Sequence, residues 1–172
     1  MQKFHRARGF TIVELLIVIV VIGILAAITI IAFNGVSNKA NDTAVKSDLR
    51  NLASKVMEFQ TINGRLPAGN YNDGIEGIPS FKVNRSAYLA SYGSGNLYYC
   101  VNTAAGTNDF ALVAQSKSNT IFVYRLNGGL AVYTGTYGGY PTLCPALGMS
   151  TYSAAYGSFQ GTEDGSWYSW TR

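Results

Sequence analysis

Histidine occurs once in the 172 residues, at His5, and cysteine and tryptophan occur twice each. Structural zinc sites take four Cys or His ligands, so two cysteines and one distant histidine exclude one. Charge is also thin: Asp, Glu, Lys and Arg make up 13% of the chain, and only nine residues are acidic. No G-x-S-x-G, P-loop, H-E-x-x-H or repeating Asp/Glu metal pattern occurs. Nothing signals a nucleophilic, acid–base or metal-dependent centre, so the chain reads as a non-enzyme with no cofactor. Asp109, Glu163 and Asp164 read as solvated loop carboxylates.

The positive charge is local. The formal net charge is +4, but Lys3, Arg6 and Arg8 supply three of the 13 basic residues. Without residues 1–9, ten bases face nine acids, a net of +1. That balance is weak support for a nucleic-acid partner. Any such contact would rest on a cluster such as Lys82 and Arg85 and be strongly salt-dependent.

Three features are present instead. The first is MQKFHRARG, a short positive leader without acids, ending at Gly9. The second is the apolar run Leu15–Phe33, interrupted only by Gly23 and Thr29. As a helix it spans about 28 Å, close to the hydrocarbon thickness of a bilayer. The positive flank stays cytoplasmic. An ordinary signal peptide fits less well, because the run is longer than a usual h-region and no clear small-x-small cleavage site follows it. The third feature is Glu14 at the start of that run. A carboxylate in a membrane segment costs on the order of 2–3 kcal/mol, less near the end of the span. Either it snorkels to the interface, or it meets a buried positive partner. Cleavage after Gly9 would create one, the α-amine of Phe10. In a bundle of packed helices Glu14 of one subunit would then pair with Phe10 of a neighbour and fix the axial register.

The segment GFTIVELLIVIVVIGILAAI resembles the N-terminus of type IV prepilins and the related pseudopilins of type II secretion. The resemblance implies cleavage by a prepilin peptidase between Gly9 and Phe10. It implies N-methylation of Phe10 and a role for Glu14 in subunit recruitment. One departure is Ile31, where many members of the family have proline.

Beyond the membrane-length run, Val45, Leu49, Leu52, Val56 and Phe59 form one apolar helical stripe. Lys46, Asp48, Arg50, Lys55 and Glu58 are expected mostly on the other faces. Asn63-Gly64 is a stop signal, with Pro67 after it. The stretch DLRNLASKVMEFQTINGRLP resembles the amphipathic helix and its exit in many pilins and pseudopilins. Residues 65–97 read as an irregular connection. Asn70–Glu76 offers oxygen ligands but lacks the spacing of an EF-hand loop, so no metal is assigned. Short runs rich in Val, Tyr, Phe and Ile predict strands at Asn96–Asn102, Asp109–Gln115, Thr120–Leu126 and Leu130–Thr134. Asn127-Gly128-Gly129 would join the last two as a hairpin. Residues 135–172, with Trp167 and Trp170, read as an irregular tail with room for an extra strand beyond Cys144; a sticky aromatic surface is the functional alternative.

The expected fold class is α+β: a long N-terminal helix on a small antiparallel sheet, which is also the pilin head fold. The expected organisation is a leader at 1–9, a transmembrane and polymerisation helix at 10–36, an amphipathic helix at 37–64 and a β-rich head at 65–172. Cys100 and Cys144 lie in the part expected to be exported. There they either oxidise, closing a loop of about 45 residues worth roughly 4 kcal/mol, or remain two buried thiols. By resemblance the protein is a single-pass precursor in the inner or cytoplasmic membrane and then an extracellular pilus subunit. Its partners would be other copies of itself, the prepilin peptidase, an assembly platform and a cytoplasmic ATPase. The implied tasks are adhesion, twitching motility or DNA uptake. The competing readings are a pseudopilin of a secretion or competence system and a monomeric membrane-anchored binding domain. Glu14 separates the last from the others, because a monomeric anchor gains nothing from a membrane carboxylate.

Overall fold

The computed structural model describes residues 10–71, 73–89, 95–104, 107–149, 152–157 and 171, without the side chains of residues 31 and 155–157. The chain divides into two compact units, Met1–Ser37 and Asn38–Arg172. A helix, α1, is assigned over Ile12–Asn63. It is the one helix among the described residues long and apolar enough to cross a membrane.

In the first unit α1 passes Gly23 without a break, and its large apolar side chains stand open, from Ile12 at 84% exposure to Phe33 at 71%. Ile and Val are indifferent helix formers in water. In lipid a helix is how such a segment satisfies its backbone groups, and its apolar surface needs no protein cover.

In the second unit α1 becomes amphipathic. Val45, Leu49, Leu52, Ala53 and Val56 are fully buried, and Phe59 is half-buried. The helix ends where Gly64 takes φ +70, the left-handed conformation that glycine adopts without a Cβ penalty. The sheet below has six strands: β1 (Asn70–Tyr71), β2 (Leu97–Asn102), β3 (Phe110–Gln115), β4 (Ile121–Arg125), β5 (Gly129–Val132) and β6 (Tyr152–Gly157). Their spatial order is β1-β6-β2-β3-β4-β5, antiparallel except for the parallel pair β1–β6. The α+β fold expected from the sequence is the one found.

Alternation along the central strands sends side chains to two faces. Leu97, Tyr99, Val101, Phe110, Leu112, Ala114 and Phe122 join the α1 stripe with Ile75, Ile78, Phe81 and Val83 in one core. Tyr98, Cys100, Ala111, Val113 and Val123 form a second core on the other face. That face is covered by a short helix, α2 (Tyr140–Ala146), which brings Leu143 and Cys144 inward.

Three sequence expectations are corrected. The β4–β5 turn is Leu126–Gly128, one residue earlier than expected: Gly129 at φ +63 already pairs with Arg125, and β5 ends at Val132. The tail from 135 holds α2, which starts at Gly139-Tyr140-Pro141 with a proline preset for the first helical turn. Asp48 is not on an outward face. It is 3% exposed and lies among the stripe residues. The extra strand expected beyond Cys144 is β6, which enters the sheet between β1 and β2. Trp167 and Trp170 lie outside the described residues.

Candidate functional site

Phe10, at 88% exposure, precedes the first turn of α1; Gly9 lies outside the described residues. Ile12 opens the helix, so Thr11 is the residue before it and Glu14 the third within it. The Thr11 hydroxyl and backbone N–H donate to Glu14 Oε2 at 2.8 and 2.9 Å, and the Glu14 N–H donates back to Thr11 Oγ1 at 3.2 Å. This reciprocal closure of two otherwise open helix-end donors is a capping box. The pattern Thr11-x-x-Glu14 is legible in the sequence, and it gives Glu14 a use within one chain beside the interfacial and intersubunit readings. In a single chain the carboxylate is held by its own helix end. The helix N-terminus adds a favourable partial positive charge for the anion.

The head carries a second acidic site, one the sequence reading missed. Asp48 accepts hydrogen bonds from the Asn84 N–H at 2.8 Å, from Asn84 Nδ2 at 2.8 Å and from the Tyr88 hydroxyl at 3.0 Å. Burial pushes its carboxyl above the usual range, and the hydrogen bonds from Asn84 and Tyr88 oppose that shift. Tyr88 is in turn raised well above the usual phenol range, by burial first and then by the Asp48 charge. The available signal was spacing: residue 48 falls three after Val45 and four before Leu52, on the buried stripe. Asn84 and Tyr88 flank a single 3₁₀ turn, Arg85–Ala87. The Arg85 guanidinium donates to the Thr171 carbonyl at 3.1 and 3.3 Å, so this turn ties α1 to the C-terminal end. Arg85 is thus engaged within the chain, and the Lys82–Arg85 pair is not a free basic cluster.

Cys100 of β2 and Cys144 of α2 form a disulfide with Cα atoms 5.7 Å apart, and both residues are fully buried. It fastens the covering helix to the sheet. Arg125 of β4 adds a polar tie, donating to the Leu147 carbonyl and reaching Asp109 at 3.4 Å. In the connection after α1, Glu76 takes both guanidinium nitrogens of Arg65 at 2.6 and 2.7 Å and the Ala68 N–H at 3.0 Å. These bonds, Arg65 foremost, lower the Glu76 carboxyl to about 2. The oxygen ligand considered in Asn70–Glu76 is therefore committed to an arginine. No group of three His, Cys, Asp or Glu that could hold a metal occurs among the described residues.

A family model described as the prokaryotic N-terminal methylation motif matches residues 4–30. The type IV wide pilus major component PilA4 of Thermus thermophilus is 33% identical over 120 residues, covering 67% of this chain and 91% of that protein. The type IV major pilin protein PilE1 of Neisseria gonorrhoeae is 25% identical over 128 residues, covering 74% and 69%. Type II secretion system core protein G of Pectobacterium carotovorum is 34% identical over 67 residues, and there the chain spans 43% of its relative. No solved structure matches the chain. The methylation motif, the bare apolar half of α1 and the helix-on-sheet head agree with these relatives, and the chain belongs to the family of type IV pilins and type II secretion pseudopilins.

Proposed function

We propose that this protein is a type IV pilus-like filament subunit, held in the cytoplasmic membrane by residues 10–36 until assembly. The observation that carries the reading is the methylation motif at residues 4–30 leading into a helix whose apolar side chains stand exposed among the described residues. A surface of that kind is stable in lipid or against other copies of itself. In this reading the leader 1–9 is removed after Gly9, and the Phe10 amine becomes the N-methylated first group of the mature chain. Glu14 then exchanges its bonds with Thr11 for the Phe10 amine of a neighbour, neutralising two charges inside an apolar bundle. Removing only one partner of such a pair leaves a buried charge, at a cost of about 3–5 kcal/mol. Residues 37–64 carry the head, and a prepilin peptidase, an assembly platform and an ATPase act on the subunit.

The test is Glu14→Ala in the natural host, with head folding followed by the intact disulfide. The expected result is processed, folded subunit in the membrane with filaments reduced at least tenfold. Normal filament numbers would remove Glu14 from assembly. A second reading, a pseudopilin of a secretion system, is favoured by the core protein G of Klebsiella pneumoniae, of which the chain covers 85% at 25% identity. The greater identity across nearly all of the Thermus pilus component favours the pilus.

A further inference from the structure

Asparagine is followed by glycine three times, at Asn34-Gly35, Asn63-Gly64 and Asn127-Gly128. Such a pair can react with itself. The glycine nitrogen attacks the asparagine Cγ, a C–N bond forms, and the side-chain nitrogen leaves as ammonia. The five-membered imide then takes up water at either carbonyl and opens to aspartate or isoaspartate. Glycine favours the attack, because no Cβ shields its nitrogen and its backbone turns freely. The residues in front, Phe33, Ile62 and Leu126, are all large and apolar, so the sequence hardly ranks the three pairs.

The fold ranks them. Asn34-Gly35 lies inside α1, where the hydrogen-bonded ladder fixes the backbone. Asn63 closes that helix: its Nδ2 donates to the Phe59 carbonyl at 2.9 Å, and the Gly64 N–H donates to the Gln60 carbonyl at 2.8 Å. Both the leaving group and the attacking nitrogen are held there. Asn127-Gly128 lies at the tip of the β4–β5 turn, and both residues are exposed. The Gly128 N–H donates to the Arg125 carbonyl at 3.3 Å, longer than an ordinary bond of this kind. The Asn127 side chain makes no hydrogen bond among the described residues. An exposed loop tip of this sort opens at little free-energy cost.

We propose that Asn127 is a self-modification site, which deamidates through a cyclic imide with Gly128. The product adds a carboxylate that is ionised near pH 7, two residues from Arg125. The isoaspartyl form also adds a carbon to the backbone of a turn whose ends, Arg125 and Gly129, are paired. Folded subunits therefore gain negative charge at this tip as they age.

The test incubates the full chain in polyoxyethylene-detergent micelles in mildly alkaline buffer. Peptide mapping by mass spectrometry follows the exchange of NH2 for OH and separates aspartate from isoaspartate. In the folded chain Asn127 is expected to convert at least about tenfold faster than Asn63 or Asn34. In concentrated guanidinium chloride with the disulfide reduced, Asn63 and Asn127 should converge to within a factor of about three, because the fold no longer ranks them. Gly128→Ala keeps the fold: the Gly128 φ lies outside the left-handed region, and a Cβ there would meet Arg125 Cβ at 3.7 Å, an ordinary contact. That variant should slow conversion at Asn127 at least about tenfold while keeping the disulfide and the unfolding midpoint. A native rate at Asn127 no higher than at Asn63 overturns the proposal. So does an unchanged rate in Gly128→Ala, or a product without isoaspartate, since either removes the imide. The chemistry needs only the folded head, so failure here leaves the filament reading standing.

Discussion

Replacing Asp48 with alanine removes the one buried carboxylate among the described residues and takes an acceptor from three donors. The Tyr88 hydroxyl loses its Asp48 acceptor inside the core, where Tyr88 is 2% exposed. A buried hydrogen bond to a charged acceptor is worth about 1.5–3 kcal/mol. The two Asn84 donors lose about 0.5–1.5 kcal/mol each at most, since Asn84 is exposed and water can take the place of the carboxylate. Against this, the variant no longer carries the burial cost of the anion. The expected net loss is about 2–3 kcal/mol, read by denaturant unfolding of the full chain in micelles. Asp48→Asn, which keeps one acceptor oxygen, should lose about half as much. The double variant with Tyr88→Phe should show a coupling of at least about 0.5 kcal/mol. The pH dependence has a definite sign. The folded carboxyl is raised, so the native state binds the proton at higher pH than the unfolded chain, and this contribution to stability falls as pH rises through the carboxylate range. Asp48→Asn removes that slope. A loss below about 0.5 kcal/mol for Asp48→Ala, the size of an ordinary surface change, together with no coupling to Tyr88, would refute the reasoning.

Two further outcomes follow from the head. Reducing the Cys100–Cys144 bond, which closes a separation of 44 residues, should lower stability by about 4 kcal/mol and free α2 first, measured as faster amide exchange at Leu143 and Cys144. Glu76 behaves opposite to Asp48: its folded value of about 2 lies below the ordinary 4.5, so its contribution is full above about pH 4.5 and is lost as pH falls toward 2. Arg65→Ala should therefore raise the acid-unfolding midpoint slightly, the effect being small because the pair is exposed and screened.

Much of this fold was legible because its signals are local. The Val45–Phe59 stripe has helical period, and β2 to β5 are β-branched and aromatic runs bounded by turn residues, found within one or two residues of their predicted ends. What escaped depends on distant partners. An extra strand beyond Cys144 is expected, but not its place: β6, Tyr-Ser-Ala-Ala-Tyr-Gly, lies between β1 and β2 through pairings with segments 50 or more residues away. α2 has seven residues and two prolines, too short for periodicity to show. Charge points Asp48 outward, whereas its place on the stripe puts it inside, where three donors hold it. At the N-terminus the Thr11–Glu14 box was readable from four residues, and it gives Glu14 a partner within its own chain before any neighbour arrives.

The proposed filament subunit is trimmed, exported and assembled. The most direct measurement is the N-terminal residue and intact mass of protein sheared from the cell surface. A processed subunit begins at N-methylated Phe10 and is lighter by the two hydrogens of the Cys100–Cys144 bond. A chain still beginning at Met1 and found only in membranes would contradict it.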